Sequence, residues 1–453
     1  MIMLGIYRPK VRNLIAIAAL VVLAGCESLT GPGGIFGEDL APPLEGERIS
    51  ILLNQRSLSP SPELADTHIL LPAPTPNTSW PQAGGYANHA MHHITVSDNL
   101  NILWQADAGA GATDEVRLVG SPVVSGGRVF AMDSASAVAA FDAKTGKQLW
   151  RAALTPKEEE GDDHIGGGLA YENGVVYATT GFAQVIAINA ANGDIVWRKQ
   201  VVGPMRAAPT VRSGRVFAIT VDSRLYALDA KDGSEIWSYS GISEISSLLG
   251  GASPAVDAGV VVAPFSSGEL IALKAENGRI LWSDSLSTAR RTDVVSTMAH
   301  IRGRPIIDRG RVFAVSHGGL MVSIDLRSGR RIWQKEIGGL ASPWVAGDYI
   351  FMLTNDSEIA AISREDGRVF WVHGLAQFDD PKTKDRPIVW SGPLLASDRL
   401  IVAGSNGEVQ AISPYNGKYL GKIVVPSGVS VPPVIADQTV FFLSDNASLI
   451  AYR

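Results

Sequence analysis

The stretch from Ala227 to Trp237, ALDAKDGSEIW, recurs along the chain with a constant anatomy. AFDAKTGKQLW ends at Trp150, AINAANGDIVW at Trp197, ALKAENGRILW at Trp282, SIDLRSGRRIW at Trp333 and AISREDGRVFW at Trp371. The turn glycines, Gly146, Gly193, Gly233, Gly278, Gly329, Gly367 and Gly417, are spaced by 47, 40, 45, 51, 38 and 50 residues. A period near 45 residues with several short strands per unit is the spacing of β-propeller blades.

Each unit reads alike. A Ser-Pro or Ala-Pro (Ser121-Pro122, Ala208-Pro209, Ser253-Pro254, Ser342-Pro343) opens a short apolar strand, and RVFAM, RVFAI or RVFAV supplies the second. The third strand carries a small residue and an Asp or Asn, and the fourth carries Trp. Alternation of this kind predicts one four-stranded antiparallel blade. Asp or Asn caps the amides of the turn between strands three and four, and Gly takes the positive φ of a bulged hairpin. Trp follows four residues after the Gly and is expected to fill the wedge between neighbouring blades. These acids and tryptophans read as structural.

Seven turn glycines give seven units, although in AISPYNGKYLG the place of Trp is taken by Gly421. A partial eighth unit, VFFLSDNASLIAYR, ends at Arg453 without its last strand, whereas LNILWQAD around Trp104 is a Trp strand with no preceding three. The economical expectation is an all-β, eight-bladed propeller in which this N-terminal strand completes the last blade and leaves no edge to fray.

The only cysteine, Cys26, ends the run Leu23-Ala24-Gly25-Cys26 after a basic stretch (Arg8, Lys10, Arg12) and the ten apolar residues LIAIAALVVL. Ten residues are too few to cross a bilayer core of about 30 Å as a helix but suit a signal-peptide core. The run resembles a bacterial lipobox, which implies cleavage before Cys26 and lipidation of its thiol; several acyl chains on one residue anchor stably. Glu27 in second place, rather than Asp, implies the outer membrane by the same resemblance. The expected organisation is a signal peptide over residues 1–25, a Pro/Gly-rich tether over 26–75 and the propeller over 76–453. Within the tether, RISILL can form a short strand or remain part of the linker. Cutting after Gly25 takes the formal charge from −6 to −9, since three basic and no acidic residues leave. An acidic body argues against nucleic acid as a partner.

The DAKTGKQLW motif and its sisters resemble pyrroloquinoline-quinone-type propeller repeats; no Trp-Asp dipeptide is present to suggest WD40 blades. With the lipobox and eight units, the chain from Cys26 to Arg453 resembles the BamB family, the lipoprotein subunit of the bacterial β-barrel assembly machinery. The resemblance implies a non-catalytic scaffold without cofactor, lipid-anchored on the periplasmic face of the outer membrane. The implied partners are BamA, the other subunits of that machinery and unfolded barrel clients. The family's contacts with BamA come from loops at one end of neighbouring blades. A Leu-x-Leu-Arg-Gly segment falls on SSLLGGASP, where Leu248 and Gly250 match and Leu249 takes the Arg position. An Asp-x-Asp segment falls on MAHIRGRPII, where His300 and Arg302 replace the acids. Leu248 and Leu249 read either as exposed interface anchors or as the start of a buried strand. Arg291, Asp293, Arg302 and Arg304 are expected to form a charged, mostly basic rim.

Other chemistry weighs less. A quinoprotein dehydrogenase shares these repeats and implies an axial cofactor, a calcium ion and a catalytic Asp, for which Asp133, Asp222 and Asp356 are the available acids; the vicinal cysteines common in that class are missing. A lipoprotein propeller serving another envelope partner is a third reading. His89, His92 and His93 in NHAMHH have helical metal-ligand spacing, but no acid or Cys lies close in sequence, and a solvated loop is expected. KEEEGDDHIGGG (157–168) lacks the alternating ligands of a calcium loop and reads as a solvated acidic loop, with glycines where strands crowd the axis.

Overall fold

The computed structural model describes residues 58–159, 164–244, 248–287 and 298–453. Residues 1–57, with Cys26 and the RISILL segment, lie outside the described residues. Eight four-stranded antiparallel sheets are present, with one added hairpin of Phe378–Asp380 and Asp385–Pro387. We number the blades in chain order: blade 1 is residues 123–153, blade 2 168–200, blade 3 210–240, blade 4 255–285, blade 5 306–335, blade 6 344–374 and blade 7 390–424. Blade 8 is residues 434–452 together with the strand Ile102–Asp107, which pairs antiparallel with Ser448–Tyr452 and sets Trp104 opposite Ala451. First strands of neighbouring blades approach one another and so line the axis. Second and third strands, such as Arg128–Met132 and Ala137–Asp142, are buried almost throughout because each blade packs on a neighbour at both faces. Fourth strands are exposed apart from the tryptophan.

The repeated residues form a clasp from each blade to the next. Trp150 stands opposite Ala140 on its own sheet, and a bulge follows at once. A small residue faces the indole in the same way at Trp197, Trp237, Trp282, Trp333 and Trp371. Each ring lies over the turn glycine of the following blade: Trp104 over Gly146, Trp150 over Gly193, Trp197 over Gly233, Trp237 over Gly278, Trp282 over Gly329, Trp333 over Gly367 and Trp371 over Gly417. A Cβ on Gly193 would sit 2.7 Å from the Trp150 ring, and the residue has φ 82°, so contact and conformation both demand glycine. Each indole N–H donates to a carbonyl of the same turn at 2.8–3.1 Å. The turn itself is held by its acid: Asp142 accepts from the Thr145 hydroxyl and from the amides of Thr145 and Lys144, which draws its carboxyl below the ordinary value.

Gly421 has a physical reason. The blade after it is blade 8, whose third strand ends at Tyr452 and whose fourth comes from the other end of the chain. No hairpin turn exists there for an indole to cover, and a Cβ at Gly421 would meet nothing within 4 Å. Tyr452 makes the crossing instead, its hydroxyl donating to the Val424 carbonyl at 3.4 Å.

The packed body begins earlier than the boundary expected at residue 76. Ser61 N–H donates to the Val369 carbonyl at 2.8 Å, Leu70 N–H to the Tyr349 hydroxyl at 3.0 Å, and Leu64 and Ile69 are buried. The stretch that follows is not a solvated loop. From Asn77 to Ile94 it runs round the axis and meets the first strand of every blade, or the residues flanking it, in order. The Asn77 carbonyl accepts from Asp437 of blade 8, Trp80 exchanges two backbone bonds with Val124 of blade 1, and the Pro81 carbonyl accepts from Tyr171 of blade 2. The Gln82 amide both donates to and accepts from Val211 of blade 3. The Ala87 and Asn88 carbonyls accept from Val256 of blade 4 and Ile307 of blade 5. The His92 carbonyl accepts from the Trp344 indole of blade 6, and Ile94 N–H donates to Leu395 of blade 7. This belt satisfies the inner backbone edges that an open channel would leave to water.

Candidate partner-binding face

The connections between blades 2 and 3, 3 and 4, and 4 and 5 meet beside one another. Leu248 lies in the second of them, and its N–H donates to Nδ1 of His300, in the third, at 3.1 Å. Nδ1 therefore accepts, and the neutral ring carries its proton on Nε2. Burial, with Arg302 and His317 nearby, lowers the His300 pKa to about 4. Gly250, at φ 92°, turns the chain so closely past Arg302 that a Cβ there would lie 3.0 Å from Nε. Burial also lowers the pKa of Arg302 from its ordinary value. A shallow pocket of about 30 Å³ opens between these loops, bordered by Arg206, Thr220, Gly250, Phe265 and His300.

Leu248 is half-buried, and blade 4 does not begin until Ala255, so neither leucine starts a strand. Leu249 is 38% exposed. Three apolar residues that the sequence motifs did not single out lie on the same three connections: Val202 at 63% exposure, Ile242 at 59% and Met298 at 41%. Val202 and Ile242 each follow the end of a fourth strand by two residues, an offset the repeat makes visible. Arg291 and Asp293 lie outside the described residues. Arg304 is not on this rim; it lines a pocket against the belt.

The alternative centres do not assemble. His89 Nδ1 donates to the Pro305 carbonyl, His93 Nδ1 to that of Pro72, and His92 Nε2 lies 3.4 Å from Asp308, so the three rings serve different partners. Among the described residues no group of three or more His, Cys, Asp or Glu is placed to hold a metal. Asp133 is ion-paired with Arg151 and accepts from Ala137 N–H at 2.7 Å. Thr220 donates to Asp222. Within the acidic stretch, residues 160–163 lie outside the described residues; Gly167 and Gly168 pack where a Cβ would strike Ala207 and Ala208.

Repeated blades, an axis crossed by the chain's own belt and apolar side chains raised on consecutive loops define a propeller of the platform class. The sequence profile described as outer membrane protein assembly factor BamB matches residues 58–164 and 134–373. The chain belongs to this family. It is 27% identical to outer membrane protein assembly factor BamB of Yersinia pestis over 355 residues, 77% of this chain and 88% of that one. The crystal structure of BamB from Moraxella catarrhalis superposes with a TM-score of 0.65 at 17% identity, covering 78% of this chain and all of that one. Quinohemoprotein alcohol dehydrogenase from Comamonas testosteroni superposes with a TM-score of 0.64 at 14% identity, covering 83% of this chain and 80% of that one, a likeness of fold.

Proposed function

We propose that the protein is a non-catalytic subunit of the outer-membrane barrel assembly machinery. It docks BamA on the face built by the three connections between blades 2 and 5, and it is anchored through a lipidated Cys26. Family membership supports the setting. The observation that carries the docking face is the gathering of Val202, Ile242, Leu249 and Met298, all exposed, on adjacent connections. Exposed apolar side chains on a well-ordered frame are the usual anchors of an interface. Arg206 and Arg302 beside them favour an acidic rim on the partner.

The test is co-purification from detergent-solubilised envelopes. Leu248→Asp/Leu249→Asp and the single change Leu249→Asp are expected to melt cooperatively, as the native chain does, and to lose BamA. Folded variants that retain BamA in native amount rule out this face.

A further inference from the structure

A second pocket lies behind the belt. Trp80, Gly84 and His89 close it from the belt, and Arg304, Trp344 and Pro393 line it from blades 5, 6 and 7 or the residues leading into them. Three buried polar atoms on these residues have no hydrogen-bond partner: Trp80 Nε1, His89 Nε2 and Arg304 Nε. Two of the three are donors, and one of those sits on a guanidinium. Trp80 and His89 are more than nine-tenths buried, and no carboxylate lines the pocket. Burial and the neighbouring Arg302 lower the Arg304 pKa to about 10, which leaves the side chain cationic at neutral pH. Arg304 as a whole is only partly buried, but its Nε and the Trp80 Nε1 are out of reach of water, and buried donors left unpaired are costly.

We propose that this pocket binds a small monovalent anion of halide size, held by the Arg304 guanidinium and the Trp80 indole N–H. His89 donates through Nδ1 to the Pro305 carbonyl, so its neutral ring presents a lone pair at Nε2. A water that donates to both Nε2 and the anion completes the set, and a volume of about 30 Å³ takes one ion and one water. Trp80 stacks on Trp344 with ring centroids 6.1 Å apart, so its N–H is held in place before the ion arrives. The site would tie the belt to the segment leading into blade 5, because its ligands come from both.

The experiment uses the purified chain and two halides. Chloride is expected to raise the melting temperature over gluconate at equal ionic strength, and the increment to grow with chloride concentration as for a ligand bound only to the folded state. Crystals soaked in bromide are expected to show an anomalous peak in the pocket. Trp80→Phe keeps the stacked ring and removes the donor, and it is expected to lose both the increment and the peak; Arg304→Gln is expected to do the same. Equal melting in the two salts, bromide peaks confined to the outer surface, or an undiminished increment in a folded Trp80→Phe variant would each overturn the proposal.

Discussion

Burial lowers the pKa of His89 to about 3 and that of His300 to about 4, with Arg304 and Arg302 respectively adding to the effect. Neutral rings are therefore part of the folded state, whereas the unfolded chain takes up protons near 6.5. A group whose pKa is depressed on folding contributes stability that is complete above about 6.5 and falls as pH drops toward the folded value. Each such histidine contributes a slope of about 1.4 kcal/mol per pH unit in that window. Replacing His89 by Asn, which tolerates its φ of 62°, is expected to flatten the fall in stability between about pH 6 and pH 4.5. Urea titrations across that range, in gluconate, read the slope directly. A His89→Asn variant with the native slope would mean that the ring is protonated within the fold. The turn acids Asp142 and Asp325 also sit below their ordinary values, but they lose their stabilising effect only at lower pH and leave this window to the histidines.

At the scale of the element, the clasp explains a gap that spacing alone leaves open. Trp197 covers the Gly233 turn and bonds the Ala230 carbonyl, so Trp197→Ala is expected to cost about 3–5 kcal/mol in urea unfolding. The reverse change, Gly421→Trp, places an indole where no turn waits and at φ 152°, where an L side chain is strained, and is expected to cost about 1–3 kcal/mol. A clear gain from that Trp would show that the ring stabilises its own sheet rather than the joint. Much of this element was legible beforehand because each residue answers one local need: Asp for the turn amides, Gly for positive φ and close approach, Ala beneath the indole. Gly421 was not, since its reason lies in the seam between the two ends of the chain. Of the proposed docking face, the motif position singled out Leu248 and Leu249. Val202 and Met298 carry no motif and become notable only once three connections are seen side by side.

Over the whole molecule, two features join what the repeat divides. The strand Ile102–Asp107 supplies blade 8 with its fourth member, and the belt spans the inner edges of all eight blades. The belt had no sequence signature, because most of its bonds run from backbone carbonyls and its polar side chains, Asn77, Gln82 and His89, look like those of any exposed loop. Its contact order is high, so its bonds form only when distant blades are in place. A belt that engages as a unit should transmit damage along the ring. Gln82→Ala removes the acceptor of Val211 N–H, and hydrogen exchange is expected to quicken there. The same variant is expected to quicken exchange at Tyr171 and Val256, which donate to Pro81 and Ala87 on either side. If only Val211 responds, each blade holds its own stretch of belt.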